Sequence, residues 1–408
     1  MSSPTGVVSE SPRVSPASEL ELRYCALFDA GSARPIETTG ALTVVEGRHD
    51  GRAVRVALNN RAVAGGSFGI DESELLTRHL LRSCDDRVPV VLALDSGGAR
   101  LDAGLAGLGA FRRLYRAGLD ARLAGVPMIA MIERDCFGGA SMLAMLCPVR
   151  GAIETARLGM SGPGIVAALA GRQELDASDR DAVRTLFGAP ARARTGAIDS
   201  VFDPDTPRRE ALAALLDLAV RKRADIDGQH RILERRLRDS GFEPGTLTLP
   251  GAAALLHRGK PVGAAALWQL SDAILSCRAG VTVNLDIDCP GQAATRFDES
   301  LVLSEYVAHL ALCLRDRGRH GVEVVMRIDG ECAGGIYVAL AAGANRVEAT
   351  SAAMVRVLPA KAIKIVLGRT LPEETLADAL AAGVADRLVP DRRDDVTVKT
   401  HRFRSRNE

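Results

Sequence analysis

The sequence predicts an α/β fold that is built twice in one chain, and three observations lead to this prediction. Short apolar runs alternate with longer amphipathic segments, as in parallel sheets covered by helices. In each half a strand ends in a glycine-containing loop, and one strand–helix–strand unit later a Gly-Gly pair opens a helix. The spacing from Gly98 to Gly138 is nearly that from Gly291 to Gly334, which indicates a duplicated or fused plan.

The predicted elements follow this repeat. In the first block we expect strands at residues 41–45, 53–58, 88–94 and 126–132 and helices at residues 105–123 and 138–146. In the second block we expect strands at residues 262–267, 281–287 and 322–328 and helices at residues 300–317, 334–342, 359–367 and 372–382. Residues 208–238 are charged and rich in leucine and alanine, which predicts a helical bridge, and residues 241–251 are typical of a linker.

Length and these patterns predict two domains. Their bounds are a disordered tail at 1–18, a first domain at 19–205, a helical bridge and linker at 206–250, a second domain at 251–390 and a charged tail at 391–408.

Composition excludes several function classes. The 408 residues carry 52 basic and 51 acidic side chains and are only 3% aromatic, so we expect no nucleic-acid partner. No stretch is apolar enough to span a membrane, and we expect a cytoplasmic protein. The eight cysteines form no C-x-x-C pair and the histidines do not cluster, so no metal or redox site is predicted.

The candidate chemistry lies in two glycine loops. The segment 94–101 follows a buried strand, where α/β sheets place ligand crevices, and Gly97-Gly98 lets the backbone approach a substrate closely. Gly138-Gly139 falls where a helix begins, and unpaired N–H groups there hold negative charge. We therefore predict an oxyanion hole formed by backbone amides from Gly98, Ala99, Gly138 and Gly139. Each loop alone is also consistent with a tight turn.

Two other patterns are weighed against it. Gly65-Gly66-Ser67-Phe68-Gly69 matches the G-x-S-x-G nucleophile elbow, but no histidine or aspartate stands in the required order, so Ser67 is predicted to touch substrate without acting as a nucleophile. His309 and His257 are the histidines nearest a site in sequence, and we expect surface or packing roles for both.

At these residues the chain resembles a known family. Ser96-Gly97-Gly98-Ala99-Arg100-Leu101 is similar to the motif of carboxyltransferase β subunits and of the malonate decarboxylase β subunit. Phe137-Gly138-Gly139 and the run 157–163 resemble the same subunit, whereas 288–292 and Gly334-Gly335 resemble the γ subunit. Over roughly residues 41–389 the chain is most similar to the β and γ subunits of biotin-independent malonate decarboxylase joined in one polypeptide, within the carboxyltransferase family of the crotonase superfamily.

The resemblance implies a crotonase-like spiral ββα fold in each half, with the acyl site between the halves. It implies decarboxylation of malonyl-acyl-carrier protein to acetyl-acyl-carrier protein and CO2, with no cofactor beyond the phosphopantetheine of the carrier. The partners that it implies are an acyl-carrier protein and a second copy in a homodimer. Asp102-Ala103-Gly104 and Ala333-Gly334-Gly335 depart from the family pattern and leave substrate choice open. A biotin-dependent carboxyltransferase and a non-catalytic carrier-binding scaffold are the alternatives.

Further residues are predicted to contact the substrate: Ser67, Gly97, Arg100, Ser141, Gly162, Pro290, Gly291, Gln292, Gly334, Gly335 and Tyr337. Arg100 is expected either to hold a carboxylate or phosphate or to pair with an acid. For Ser141 and Tyr337 a structural hydroxyl is the alternative. We place decarboxylation in the first half and expect the second-half hole to be vestigial.

Overall fold

The computed structural model describes residues 16–98, 100–222, 225–243, 253–256, 259–372 and 374–391. The elements of the first half are α1 (Pro16–Cys25), β1 (Arg34–Thr39), β2 (Leu42–His49), β3 (Arg52–Asn59), α2 (Ile70–Asp86), β4 (Val90–Ser96), α3 (Gly104–Leu123), β5 (Met128–Phe137), α4 (Gly139–Leu146), β6 (Val149–Ile153), β7 (Arg157–Gly159), α5 (Pro163–Leu169), α6 (Arg180–Phe187), α7 (Ala189–Arg194) and β8 (Ser200–Phe202).

The remaining elements follow in chain order. They are α8 (Arg208–Arg221), α9 (Ile226–Asp239), β9 (Ala253–Leu256), α10 (Ala264–Leu275), β10 (Thr282–Cys289), α11 (Arg296–Ser300), α12 (Leu303–Arg319), β11 (Glu323–Ala333), α13 (Gly334–Gly343), β12 (Arg346–Ala349), β13 (Met354–Arg356), α14 (Ala360–Leu367), α15 (Leu376–Ala381) and β14 (Arg387–Leu388).

Within the described residues the strands form two sheets. The first has the order β1-β2-β3-β4-β5-β6-β8 with β7 beside β5, and the second has the order β14-β12-β11-β10-β9 with β13 beside β11. Strands β1 to β3 are antiparallel, whereas β3 onward and the whole second sheet are parallel. Every residue of β4 is buried, because helices cover parallel strands on both faces. The predicted α/β fold class with two similar halves is confirmed.

One hydrophobic cluster runs through both halves of the chain. It extends from Leu42 in β2 to Ala385 near the end of the second half, and the buried faces of α3, α4, α12 and α13 contribute to it. A second cluster lies on the other face of the first sheet, where Leu27 and the leucines of α8 pack on β2 to β6. The two halves thus share a continuous core.

Most predicted elements appear, but one prediction is wrong. Residues 262–267, predicted as a strand, contain only a bridge from Val262 to Gln292, and the helix α10 begins at Ala264. The run has one β-branched residue and three alanines, and alanine has the highest helix propensity. The helical bridge predicted at 208–238 consists of two helices, α8 and α9, and Leu233 and Leu237 of α9 are buried.

Helix α1 begins at Pro16, inside the predicted tail at 1–18, whose first fifteen residues lie outside the described part, as does the charged tail after Asp391. The domain bounds remain a prediction. Among the described residues no helix combines the length and the apolar character that crossing a membrane requires.

Candidate active site

The two glycine loops of the first half meet at one edge of the sheet. β4 and β5 are parallel neighbours with Ser96 opposite Cys136, so both strands deliver their loops to the same place. Gly98 has a φ of 114°, and a methyl group on it would lie 3.0 Å from the Phe137 carbonyl oxygen. Gly138, with a φ of 55°, lies against the Gly98 Cα. Only glycine allows this approach.

Some of the predicted oxyanion donors already have protein acceptors. The Gly98 N–H donates to Ser96 Oγ at 3.1 Å, and the Gly138 N–H donates to the Met160 carbonyl at 3.1 Å. The Gly97 N–H donates to the Gly65 carbonyl at 3.2 Å. These three glycines therefore shape the site, and the Gly98 and Gly138 amides, predicted as oxyanion donors, are hydrogen-bonded within the protein in this structure.

The Gly139 amide remains available. It is the first residue of α4, and no acceptor for its N–H exists among the described residues. A methyl group on Gly139 would lie 2.6 Å from the Phe111 ring, so the helix start is pressed against the core and its N–H direction is set by packing. Ala99, the other predicted donor, lies outside the described residues.

The second half repeats this arrangement closely. The Gly291 N–H donates to Cys289 Sγ at 3.4 Å, as the Gly98 N–H does to Ser96. Gly291 has a φ of 124°, and a methyl group on it would lie 3.1 Å from the Ala333 carbonyl oxygen. Gly334 has a φ of 63° and opens α13, whereas its counterpart Gly138 directly precedes α4. The duplication predicted from the glycines is therefore present in the hydrogen bonds.

The starts of α4 and α13 differ in whether the N–H of the second glycine has a hydrogen-bond acceptor. The Gly335 N–H, the counterpart of the Gly139 N–H, donates to Gln292 Oε1 at 3.1 Å. A methyl group on Gly334 would lie 2.9 Å from that same oxygen, so the carboxamide lies across the helix start. In the first half the corresponding position in sequence is Ala99, which has no polar side chain. Gln292, Gly334 and Gly335 are thus engaged with one another.

Arg100 is held by a buried acid. Its guanidinium donates to Glu72 Oε1 at 2.6 Å and to the Ser67 carbonyl at 3.1 Å. Glu72 also accepts the N–H groups of Ala41 at 2.8 Å and Gly69 at 2.9 Å. Burial raises the pKa of Glu72, but these hydrogen bonds outweigh it and lower the pKa below its usual range. A buried carboxylate keeps its cation, so Arg100 forms the ion pair that the sequence analysis gave as one of its two roles.

Three predicted hydroxyls bond to backbone carbonyls. Ser67 donates to Ala64 at 2.7 Å, Ser141 to Gly138 at 2.7 Å and Tyr337 to Val384 at 2.7 Å. Ser141 and Tyr337 are fully buried, and burial raises the pKa of Tyr337. The structural alternative therefore holds for Ser141 and Tyr337, and within the described residues no histidine contacts Ser67.

The other predicted positions are placed as follows. Gly162 precedes α5, and a methyl group on it would lie 3.9 Å from the Phe137 ring. Pro290 is partly buried directly after β10. His309 packs inside the second half, where its Nε2 lies 3.0 Å from His230 Nδ1, and burial lowers its pKa to about 3. His257 lies outside the described residues.

A buried carboxylate beneath the site has no signal in the sequence analysis. Glu299 of α11 accepts the N–H groups of Met160 at 3.1 Å and Ser161 at 2.6 Å. Burial raises its pKa to about 7, against the opposing effect of Arg192. A single glutamate in a short polar stretch is usually exposed, so nothing in its pattern indicates burial. In the described part of the chain no three His, Cys, Asp or Glu side chains are grouped to hold a metal ion.

Comparison with known proteins finds similarity mainly in the first half. Residues 23–216 match the family model described as Carboxyl transferase domain. The acetyl-coenzyme A carboxylase carboxyl transferase subunits beta/alpha of Salinispora arenicola are 31% identical over 211 residues, which is 52% of this chain and 34% of that protein. The acetyl-coenzyme A carboxylase carboxyl transferase subunit beta of Pelobacter propionicus is 31% identical over 185 residues, 45% of this chain and 62% of that protein.

Among solved structures, a chain of a Pseudomonas malonate decarboxylase hetero-tetramer in complex with malonate is similar. It is 27% identical, with a TM-score of 0.49, over 54% of this chain and 88% of that chain. This chain spans less than two thirds of the length of the two curated relatives above. The likeness to the carboxyl transferase family lies in the first half, over residues 23–216, and the described residues form an α/β architecture of parallel sheets and helices.

Proposed function

We propose that this protein decarboxylates a malonyl thioester on an acyl-carrier protein, giving the acetyl thioester and CO2. In this proposal the thioester oxygen accepts a hydrogen bond from the Gly139 N–H, and the Ala99 N–H is the second donor that the sequence predicts. The carboxyl transferase match of the first half supports an acyl-thioester substrate. The two relatives act in acetyl-coenzyme A carboxylase by their names, which is the same class of thioester chemistry.

The reaction asks for little from side chains. The bond between the carboxylate carbon and the α carbon breaks, CO2 leaves, and the electron pair moves onto the thioester oxygen as an enolate. A donor aimed at the oxygen where charge develops stabilises that state by about 3–4 kcal/mol. The α carbon then takes a proton to give the acetyl group. Gly139, at the start of a helix and packed on Phe111, is suited to this task because its position is fixed before substrate arrives.

The observation that carries the choice of decarboxylation is the difference between the two helix starts. Moving a carboxyl group to a second carbonyl compound such as biotin requires a second place to hold an oxygen. In the second half that place is taken by Gln292 Oε1 on the Gly335 N–H. The first helix start offers the Gly139 N–H to the acyl oxygen, whereas the second helix start has no free N–H at Gly335 for the oxygen of a carboxyl acceptor. This difference favours release of CO2 over its transfer.

The resemblance of the two halves to β and γ subunits supports a fused enzyme, and it supports a phosphopantetheine-bearing carrier and a homodimer as parts of the same proposal. The duplicated loop geometry is consistent with such a fusion. No described residue of the first-half site is a nucleophile in position, and the chemistry proposed here requires none.

Mass spectrometry of the acyl-carrier protein tests the proposal. Purified full-length protein is incubated with malonyl-carrier protein and, in a parallel arm, with malonyl-coenzyme A, each with and without biotin. We expect loss of the mass of one CO2 from the carrier-bound chain in the absence of biotin. Retention of the malonyl group in every arm contradicts the proposal, and turnover of malonyl-coenzyme A alone contradicts the choice of carrier.

Acyl-thioester carboxyl transfer is the second candidate, because both curated relatives are named carboxyl transferase subunits. In the same experiment it predicts that the malonyl group is stable without biotin and that carboxybiotin appears when biotin is added. A third candidate, a carrier-binding scaffold, predicts binding of malonyl-carrier protein with no change of mass in any arm.

A further inference from the structure

A carboxylate from the second half supports the backbone of the first-half site. Glu299 is fully buried, and its two oxygens accept the N–H groups of Met160 and Ser161. The β7 backbone lies directly on this carboxylate, since a methyl group on Gly159 would lie 2.9 Å from Glu299 Oε2. We call residues 159–161 the β7 turn.

The β7 turn connects Glu299 to the free amide. The Met160 carbonyl accepts the N–H of Gly138, and Gly138 is followed directly by Gly139, the start of α4. Two hydrogen bonds and one peptide unit therefore separate the buried carboxylate from the Gly139 N–H. Displacement of the β7 turn by a few tenths of an ångström would re-aim that N–H.

Arg192 secures the same arrangement from the other side. Its Nε donates to the Leu158 carbonyl at 2.8 Å and its Nη1 to the Glu299 backbone carbonyl at 2.6 Å. Its Nη2 lies 3.8 Å from Glu299 Oε2 without a hydrogen bond. The guanidinium therefore spans both segments while the carboxylate oxygens stay directed at the β7 turn.

Both oxygens of Glu299 face N–H donors, so the ionised form fits best. A carboxylate accepts at both oxygens, whereas a protonated carboxyl carries a hydrogen on one of them, and that hydrogen would oppose the N–H of Met160 or Ser161. Arg192 and Asp298 are the charged groups beside Glu299, and burial places its pKa at about 7. On the neighbouring α6 and α12, Asp181 pairs with Arg184, and Glu305 pairs with Arg150 and Arg236.

We propose that Glu299 is a positioning residue whose ionised carboxylate holds the β7 turn, and through it the Gly139 amide, in the geometry that receives the enolate oxygen. This inference rests on the proposed decarboxylation. Glu299 does not touch the substrate and acts through Met160 and Gly138.

Steady-state kinetics of the full-length protein across pH test the proposal. We expect the wild-type kcat for malonyl-carrier protein to fall as the pH drops below about 7, by about tenfold per pH unit. Glu299→Gln should lower kcat by about tenfold or more, since small misplacements of catalytic groups cost up to about a hundredfold. It should also remove this acid limb and leave KM within about twofold of the wild-type value. Glu299→Asp should restore part of kcat together with the limb.

Glu305→Gln is the matched control. Glu305 is equally buried and pairs with Arg150 at 3.1 Å and Arg236 at 2.8 Å, but it makes no contact with the β7 turn among the described residues. Its loss measures the general cost of removing a buried carboxylate. We expect this variant to keep the acid limb even where its stability falls.

Amide hydrogen exchange of the peptide covering residues 156–162 tests the support without catalysis. Exchange should be faster in Glu299→Gln than in the wild type above pH 7, after correction for the intrinsic rate. If folded Glu299→Gln keeps the wild-type kcat and acid limb, the positioning role is wrong. If the wild type releases no CO2 but exchange at the turn responds to Glu299, the proposed function fails while the support of the turn stands. If exchange does not respond, the support itself is wrong.

Discussion

Gly138, directly before α4, and Gly334, the first residue of α13, occupy corresponding positions in the two halves, with φ of 55° and 63°. A residue with a side chain rarely adopts this conformation, at a cost of about 1–3 kcal/mol. Space is not the obstacle at Gly138, where the nearest atom to an added methyl group is 3.6 Å away. The backbone angle alone makes glycine necessary there, which allows the site to be perturbed without a steric clash.

Gly138→Ala should therefore lower the free energy of unfolding by about 1–3 kcal/mol. It should lower kcat by about tenfold or more, because the following amide of Gly139 is re-aimed. Urea unfolding and single-turnover decarboxylation measure the two effects, and binding of the carrier protein should persist.

Gly334→Ala is the control for this change. It imposes the same backbone strain in the second half, where the helix start already holds Gln292, so stability should fall while kcat stays within about twofold. Equal loss of kcat in both variants would show that the helix start of the first half has no greater role in the reaction than that of the second half.

Gln292→Ala removes the side chain that occupies the Gly335 N–H. Because the proposed reaction does not use this amide, we expect kcat for decarboxylation to remain within about threefold of the wild-type value. The same mass-spectrometric assay measures it. Complete loss of decarboxylation with the fold intact, as judged by circular dichroism, would move the reaction to the second half.

A rise in pH should have opposite effects on the two properties that depend on Glu299. It should raise kcat and lower the free energy of unfolding. The pKa of Glu299 in the folded protein, about 7, is raised from the ordinary 4.5. The stability that it contributes is therefore fully present below pH 4.5 and is lost as the pH rises to 7, on the order of 3 kcal/mol in total. Unfolding free energies of the wild type should fall relative to Glu299→Gln between about pH 4.5 and pH 8. A gain of the wild type over this range would contradict the raised pKa.

At the scale of elements, α2 depends on the pair of Glu72 and Arg100. The Glu72 carboxylate accepts the N–H of Gly69 before the helix and that of Ala41 before β2, so one side chain fixes a helix start and a strand start. Arg100 supplies the compensating charge from the loop after β4. The loop that carries the candidate donors is thereby tied to the scaffold beneath it.

Arg100→Met should thus destabilise the protein by about 3–5 kcal/mol, because it leaves Glu72 buried without its partner. The loss should be smaller at a pH low enough to protonate Glu72. Urea titrations at two pH values measure it. If the variant keeps wild-type stability and only KM rises, Arg100 contacts the substrate after all.

The glycine pattern predicted the elements that carry the site, since both Gly-Gly pairs open helices directly after strands. Residues 262–267 were misjudged because a valine at the start of an alanine run suggests a strand, while the Gly263 that precedes the helix is its actual signal. The helix α2 begins in the same way after Gly69. The propensities of the individual residues alone do not reveal that α2 and α10 begin at corresponding glycines.

Two site residues were not predictable in their roles, for one physical reason. Glu299 acquires its role from the amides of Ser161 and Met160, which lie 138 and 139 positions before it in the chain. Gln292 acquires its role from Gly335. Contacts of this kind depend on tertiary packing and leave no periodicity. Sequence reasoning placed Gln292 near the substrate and did not identify the amide that it occupies.

At the scale of the whole molecule, the halves are held by charges as well as by the shared core. Arg112 of α3 donates to both oxygens of Asp386, at 3.0 and 3.1 Å, and to the Gly383 carbonyl. Arg315 of α12 pairs with Asp120 at 2.8 and 3.0 Å. These ion pairs therefore reinforce the packing of the two halves against each other.

We expect one cooperative unfolding transition in urea, followed in parallel by circular dichroism and by the fluorescence of Trp268 in the second half. Arg112→Met should shift this transition by about 2–3 kcal/mol without splitting it. Two separate transitions would show that the halves are independent folding units.

The Gln292 side chain also competes with dissolved carbonyl compounds for the Gly335 N–H. Because the Gln292 carboxamide is covalently attached to the protein, it reaches the Gly335 amide without diffusing to it. Its effective concentration therefore exceeds that of freely dissolved carbonyl compounds. Pre-organisation of this kind favours the attached group over a diffusing one. Under the proposed function, this one side chain closes the second helix start to a substrate oxygen, and Gln292→Ala would open it.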